Sequence, residues 1–525
     1  MTEENGEVRE LQKGWYWVNL GDVCQEIETK KPELEPEWKF QYIDIASIDN
    51  AIKKIVSPKK YLGKDAPSRA RQVVRVNDVV FSTVRTYLMN IAMVPEQLDG
   101  QIASTGFCVI RAANQIVPKY IFYFSISHRF INQLNELQRG TSYPAVRDRD
   151  IFAQPFPLCS TKEQERIVEK IEELFSELDQ GVKSLKTAQK QLKIYRQAVL
   201  KWAFEGKLTE VWRKQHQSTL KTGEALLTQI KAERENRYQQ QLAEWETAVK
   251  EWEAIEKVGK KPNKPQRRKE LSIITSSELA ELPKLPDDWC WVKLGEITEV
   301  SGGLTKNSKR NELNLKLPYL RVANVYANRF DLDEIFDIGL ERGEVERVLL
   351  KQNDLLVVEG NGSIEQIGRV AIWGGKINPC VHQNHLIKAR PSKSLNVKCA
   401  LYFLLSYQGR EFIKREAGST SGLHTLSLSK VENLKIPLSS EEEQEEIVQE
   451  IESRLSICDQ LEATITENLQ KAEALRQSIL KQAFEGKLVP QDPNDEPAEK
   501  LLEQIRLERQ EKQPQPAKQL KIKGT

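Results

Sequence analysis

Residues able to act as nucleophiles, bases or metal ligands are few in this chain and poorly spaced for such work. Its 525 residues include five histidines and seven cysteines, and no Cys-x-x-Cys pair occurs. His382 and His385 form a close pair without cysteine partners. Two histidines three apart are more often polar packing than ligands. Glu37-Trp38-Lys39 has the Glu-x-Lys spacing of some nucleases, but no paired aspartate precedes it. Gly360-Asn361-Gly362 follows a predicted strand without the third glycine of a dinucleotide loop, so it reads as a tight turn. No Walker A loop and no Gly-x-Ser-x-Gly elbow is present. The expectation is a chain with no catalytic site, no metal and no cofactor of its own.

Binding is the remaining chemistry, and two loop-rich regions carry material for it. The first holds Arg69, Arg71, Arg75 and Arg85, then Arg139, Thr141, Ser142, Tyr143, Arg147 and Arg149. The second holds Lys306, Lys309, Arg310, Asn324, Arg329 and Asn361. It continues with Gln383, Asn384, His385, Ser419, Thr420, Ser421 and His424. Arginine, lysine, asparagine and glutamine read base edges, while hydroxyls and loop amides hold phosphates. Any one of these is ordinary as a solvated side chain; the mixture in both regions carries the expectation. With 78 Lys plus Arg against 76 Asp plus Glu, the net charge is +2. A polycation is excluded, so a nucleic-acid surface must be local or completed by a partner.

The elements that position these residues occur twice. Residues 196–208, RQAVLKWAFEGKL, match residues 476–488, RQSILKQAFEGKL, at ten of thirteen positions. Trp15-Tyr16-Trp17-Val18 pairs with Trp289-Cys290-Trp291-Val292, Asn77-Asp78 with Asn353-Asp354, and Glu163-Gln164-Glu165 with Glu443-Gln444-Glu445. Leu226, Leu227 and Ile230 pair with Leu501, Leu502 and Ile505. Offsets of 274 to 280 keep one architecture while loops vary. Each copy opens with short β-branched runs, here 40–48, 73–81, 90–94 and 103–111, then 319–324, 354–359, 367–373 and 385–390. A helical stretch, 119–138 or 398–416, is inserted in each. The fold class is α+β, with two similar globular domains separated by two long helices.

Each globular part ends at a proline, followed by Ser160-Thr161-Lys162-Glu163 or Ser439-Ser440-Glu441-Glu442-Glu443, which suit a helix N-terminus. Beyond these, Ile171, Leu178, Leu185, Leu192 and Val199 keep a heptad rhythm, with Leu174, Gly181, Ala188 and Tyr195 at the second position. The small residues there predict close backbone approach. In copy two, Ile451, Cys458, Ile465, Ala472 and Ile479 share one position, and Arg454, Leu461, Asn468 and Leu475 form a poorer seam. About 40 residues give a rod on the order of 60 Å. Two such rods bury their stripes most simply against each other, antiparallel.

The organisation expected is a tail at 1–14, a first domain at 15–158 and a long helix at 159–208. A charged helical connector and basic linker follow at 209–287. The second domain spans 288–438, the second long helix 439–488, and a helix and tail 489–525. Residues 259–269 carry six basic residues and no acid, either a solvated linker or a strap over phosphates. The polar, acidic start is unlike a secretory signal and no run reaches 18 apolar residues, so a cytoplasmic chain is expected.

These paired Trp-rich starts, the Glu-Gln-Glu segments, the two AFEGKL segments (203–208 and 483–488) and Leu488-Val489-Pro490-Gln491-Asp492-Pro493 together resemble the specificity subunit of type I restriction-modification enzymes. The resemblance implies two target-recognition domains, each reading one half of a bipartite, asymmetric site in double-stranded DNA. It implies helices that act as a ruler and recruit two methyltransferase subunits, with motor-nuclease subunits joining to cleave. S-adenosylmethionine, Mg2+ and ATP would then sit on those partners. A coiled-coil adaptor without a DNA role is the rival reading. It leaves two divergent, Arg- and Asn-bearing domains unexplained.

Overall fold

The computed structural model describes residues 11–254, 261–420 and 423–512, with the backbone alone at 419, 420 and 512. The chain divides into two units, one combining residues up to 187 with those from 465 onward, the other formed by residues 188–464.

In the first unit the edge strand Tyr16–Asn19 pairs antiparallel with Pro155–Leu158. One four-stranded sheet runs Lys59–Leu62, Lys39–Ile43, Ile102–Ser104, Ala70–Val73. A second runs Cys24–Gln25, Phe107–Ala112, Val79–Ser82, Ile91–Met93. The second unit repeats the plan. Cys290–Lys293 pairs with Lys435–Leu438, and Thr298–Gly302, Leu386–Pro391, Leu355–Val358 and Val370–Ile372 form a sheet in that order. The single parallel contact of the first module, Ile102 beside Tyr42, recurs as Tyr319 beside Val381.

Several predicted runs divide in two. The 73–81 run breaks after Ala70–Val73, where Asn77 takes a left-handed φ of +69° ahead of Val79–Ser82; Asn353 does the same at +72°. Such a turn suits asparagine, whose short side chain tolerates that region. The 103–111 run breaks at Thr105 and Gly106. The helical stretches become Pro118–Ser125 with His128–Glu136, and Val397–Leu405 with Tyr407–Glu416. The cause is local: the hydroxyls of Ser127 and Ser406 accept from the amides of Phe130 and Gly409 and start a fresh helix each time.

The long helices, Thr161–Phe204 and Glu441–Phe484, have 44 residues each. Both end where AFEGKL begins. Gly206 and Gly486 adopt φ +70°, and Lys207 and Lys487 donate their amides to the carbonyls of Trp202 and Gln482 at 2.9 and 2.8 Å. This is a Schellman ending, which needs a residue without Cβ strain at the left-handed position. The repeated Glu-Gly-Lys is therefore a helix stop.

Those last turns complete the cores. In the first unit Phe484 packs 5.2 Å from the rings of both Phe124 and Tyr120, with Ile479, Leu480 and Ala483 buried beside Ile167, Ile171 and Phe175. In the second, Phe204 packs 5.2 Å from Phe403, with Val199, Leu200 and Ala203 beside Ile447, Val448 and Ile451. Within each unit the start of one long helix thus lies against the end of the other, so they pair antiparallel. Arg476 meets Asp179, and Arg196 meets Asp459 at 2.7 Å. Ile451, Cys458 and Ile465 are buried as the heptad reading expects, while Leu461 and Leu475 stay about half exposed. Gly181 has open space around it, so its small size serves no close approach.

Among the polar contacts between each module and its helix, one is a buried indole on a carboxylate. The indole of Trp15 donates to the buried Glu163 carboxylate at 3.1 Å, and that of Trp289 to Glu443 at 2.8 Å. Burial raises the pKa of Glu163, whereas Glu443 also receives Arg213 at 2.8 Å and Thr209 at 2.7 Å. Helices Gly223–Ala254 and Ala498–Lys512 bury the matched pairs Leu226 and Ile230, Leu501 and Ile505. The described part of the basic segment folds back on Gly223–Ala254: Lys264 lies over Trp245, Arg267 pairs with Glu235, and Arg268 with Glu432. Among the described residues no helix is long and apolar enough to cross a membrane.

Truncating Phe484 to alanine removes a core ring and should cost about 3–5 kcal/mol. Hydrogen exchange should show lost protection in Phe107–Ala112 and retained protection in Leu355–Val358. Equal loss in both would contradict the division of the cores.

Candidate nucleic-acid interface

In the first module the strand ends are sewn into a rim by backbone hydrogen bonds. Past Val79–Ser82, the Thr83 amide donates to the Gly106 carbonyl at 3.0 Å and the Thr83 carbonyl accepts from Val146 at 2.9 Å. Thr105 donates to the Arg69 carbonyl at 2.9 Å, and Arg139 and Ala145 exchange both bonds at 3.0 Å. Gly140 turns the loop at φ +99°, where a side chain would be strained and its Cβ would meet the Tyr143 carbonyl. Arg85 sits at φ +49°, donates its amide to Pro144, reaches the Ser142 carbonyl at 3.3 Å and lies over the Tyr143 ring. Its Nε is buried without a partner. A bulky residue held left-handed marks a loop fixed by its surroundings. Tyr143 is 72% exposed, and Arg69, Arg139, Thr141, Ser142 and Arg147 are exposed around it. Among the described residues no carboxylate pairs with Arg69, Arg85, Arg139 or Arg147.

The second module builds its rim with the same bonds. Glu359 donates to the His385 carbonyl at 2.9 Å and accepts from Leu426 at 2.7 Å. Thr83, Gly106 and Val146 therefore correspond to Glu359, His385 and Leu426, at the offsets of the sequence repeat. The Asn384 amide donates to Leu304, and Gln383 accepts the Val322 amide at 3.3 Å. Asn361 pairs with His424 in a small sheet, Gly360–Asn361 beside Leu423–Thr425 beside Gly418–Thr420, which places the Ser419 and Thr420 backbone there. The His385 Nδ1 lies 2.8 Å from Glu359. Lys306 and Lys309 are exposed. Ser421 lies outside the described residues.

Three residues expected at the interface are committed to internal partners. Arg71 is tied to Glu33 at 2.9 Å. Arg310 holds Glu344 through both fork nitrogens at 2.9 Å and also meets the Thr305 and Gly339 carbonyls. Asn324 is 3% exposed, donating to the Asp331 and Glu334 carbonyls and accepting from the Arg321 amide. Arg75 and Arg149 likewise meet Glu28 and Asp150. Thr83, Thr105, Gly106 and Glu359 were missed by sequence reasoning. The available signal was the repeated Asn-Asp turn, from which the chain reaches the rim at the fifth residue in both copies.

His382 belongs to the interior. It is buried, its Nδ1 contacts the Leu386 carbonyl at 2.9 Å, and burial first of all pulls its pKa down to about 4. Lys388 nearby is pulled down to about 8 by burial, with its ammonium on the Arg347 and Leu349 carbonyls. Buried ion pairs brace the strands beneath both rims: Arg111 with Asp78 at 2.8 Å and Arg390 with Asp354 at 2.7 Å. Among the described residues no three or more His, Cys, Asp or Glu gather as a metal site would require. The rims thus offer cationic forks, amides, hydroxyls and imidazoles, a set that recognises base edges and phosphates.

Replacing Arg139 or Arg147 with alanine should weaken binding to one half of a split site by about 1–3 kcal/mol, with the second module still folded. Competition binding with duplexes altered in one half checks this. A second outcome concerns acid. Unfolding frees His382 to take up a proton near its ordinary value of 6.5, so its contribution is intact above that pH and is lost as pH falls towards 4. From this group alone the loss is on the order of 3 kcal/mol. Urea unfolding at neutral pH and near pH 4 should show a smaller acid loss for His382→Gln than for the parent.

Comparison with known proteins agrees with this duplicated layout. The family model described as the type I restriction modification DNA specificity domain matches residues 12–186 and again 286–471. The specificity subunit of the type I restriction enzyme EcoKI from Escherichia coli K12 is 26% identical over 428 residues, covering 79% of this chain and 77% of that protein. The HsdS subunit from Thermoanaerobacter tengcongensis is 29% identical with a TM-score of 0.54, covering 91% of this chain and 98% of that one. A chain solved in work on complex assembly and conformational transition of the type I R-M system is 28% identical, with a TM-score of 0.65 over 91% of this chain and all of that one. With both copies of its repeat matched, the chain belongs to the type I restriction-modification DNA specificity family.

Proposed function

We propose that this chain is the non-catalytic specificity subunit of a type I restriction-modification complex, and that its two rims read the two halves of a bipartite, asymmetric DNA site. The observation that carries the reading is the equivalence of the rims. The same two backbone bonds recur at Thr83 and Glu359, yet the side chains the rims present differ: Arg85, Arg139 and Tyr143 in one, Asn361, Gln383, Asn384, His385 and His424 in the other. Equal frames with unequal side chains suit two unlike half-sites, whereas identical modules would suit a palindrome. The rigid, multiply bonded loops hold readers in register, as base recognition requires.

The long helices set the gap. At about 1.5 Å per residue their length is near two turns of duplex DNA, at about 34 Å per turn. Methyltransferase subunits dock on the chain and supply S-adenosylmethionine for adenine modification. Motor-nuclease subunits add Mg2+- and ATP-dependent translocation and cleavage. The complex works on DNA in the cytoplasm. The near-neutral charge of this subunit fits a DNA channel closed by those partners.

Methylome sequencing of a host expressing this chain with its methyltransferase, against one lacking the chain, tests the reading. Methylated adenines in one split motif should vanish without it; persistence would end the DNA-targeting role. Inserting one or two helical turns near Ala188, matched in the second helix, should lengthen the spacer and keep both half-motifs. A spacer of unchanged length would remove the ruler.

A further inference from the structure

Several arginines in this chain lie over aromatic rings, and three of them also meet an acid. Arg213 over Trp289 holds Glu443, Arg321 over Phe336 holds Glu334, and Arg476 over Phe175 holds Asp179. These charges are spent inside the fold. Arg329 and Arg369 in the second module, like Arg85 over Tyr143 in the first, meet no such acid, and they alone among these share a ring. Both stack on the one ring of Tyr326, with their guanidinium carbons 4.3 and 5.2 Å from its centroid. No carboxylate pairs with either among the described residues. Arg369 donates once, to the Val322 carbonyl at 3.2 Å, and its Nε is buried without a partner. Two like charges share a ring and nothing internal neutralises them, which leaves an outside anion as the group that would relieve the repulsion.

The place is fixed by the backbone. Tyr326 and Arg329 face each other in the hairpin Val325–Tyr326 and Arg329–Phe330, turned by Asn328 at φ +56°. The Asn328 amide donates to Val370, and the Arg369 carbonyl accepts from Val358 at 2.9 Å. Val358 is followed directly by the rim residues Glu359, Gly360 and Asn361, so the arginines flank the reading loops. In the first module Asn90 takes the position of Arg369, accepting from Ser82 at 3.0 Å. In the matching hairpin Lys53 takes the turn position of Asn328, and Asp49 faces Lys54, so the exposed Lys54 stands where Arg329 does and Asp49 where Tyr326 does. The first module thus carries one lysine at this place and no ring shared by two arginines.

From this pairing we infer that Arg329 and Arg369, held against Tyr326, are a phosphate clamp that grips the DNA backbone beside the second half-site. The inference rests on the DNA-reading function proposed above. A planar guanidinium with open donors binds a phosphate through two nitrogens, and stacking removes the freedom that binding would otherwise cost. Such contacts position a protein and carry no sequence information.

The test is salt dependence. The full chain with its methyltransferase subunits is titrated with a duplex carrying both half-sites and with one carrying neither, from about 50 to 200 mM salt. Each phosphate contact contributes about 0.9 to the slope of log K against log salt. R329A/R369A should flatten that slope by about 1–2 on both duplexes, and leave discrimination against single base-pair changes in the second half-site within about twofold. R329A alone, at an exposed position, should show about half the effect, and R329K/R369K should retain most of the parent slope. An unchanged slope overturns the clamp. So does a tenfold loss of discrimination at one base pair, which would make the pair a base reader. A parent complex with no preference between the two duplexes would count against the specificity reading instead, and the slopes on the non-specific duplex would still decide the clamp.

Discussion

The structure depends on one packing constraint. Each module's core is closed by the last turn of the long helix that follows the other module in sequence. Phe484 fills the space between Phe124 and Tyr120, and Phe204 meets Phe403. Neither module can bury its aromatic helix within its own contiguous stretch. Each long helix is therefore anchored at its start by its own module, through Glu163 on Trp15 or Glu443 on Trp289, and at its end by a foreign core. Antiparallel pairing follows without any special interhelical code. The ion pairs of Arg196 and Arg476 decorate an arrangement the phenylalanines have already imposed.

This constraint explains where the two copies agree. The AFEGKL segments must seat a small residue and a phenylalanine in a core, then stop the helix on a left-handed glycine before the chain turns away. Each of those tasks admits few residue types. The rims face no comparable restriction. Their backbone is fixed by main-chain hydrogen bonds that any residue but proline supplies, so apart from the left-handed Gly140 the side chains at 83–85, 105–106 and 139–147 are free to differ from those at 359–361, 384–385 and 418–425. Reading surfaces that vary on an invariant frame are what a specificity subunit needs.

The same distinction separates what was legible in the sequence from what was not. The duplication, the long helices, their stop signals and the matched apolar pairs such as Leu226 and Leu501 were open to reading, because they rest on residue type and spacing alone. The strand breaks at Thr105–Gly106 and the new helices starting after Ser127 and Ser406 were hidden, since a hydroxyl that caps a helix looks like any other serine. The fate of Arg71, Arg310 and Asn324 was hidden more deeply. Whether an arginine faces a base or an acid depends on a partner such as Glu33 or Glu344, more than thirty residues away. Composition brings cations to the region; only the fold decides which remain unpaired.

The constraint also orders assembly. The second unit is one continuous stretch, residues 188–464, and includes Phe204. The first unit needs residues from 465 onward, so its core lacks Phe484, Ala498, Leu501 and Ile505 until the chain is almost complete. Closing a contact such as Tyr120 with Phe484 spans most of the sequence, and loop-closure entropy must be met before that contact gives anything back. During synthesis the first module thus waits with an open apolar groove while the second finishes. The groove is matched to a helix end that only its own chain supplies, with the glycine stop placing Trp15 against Gly486. Completion of the first core is in this way coupled to completion of the second long helix.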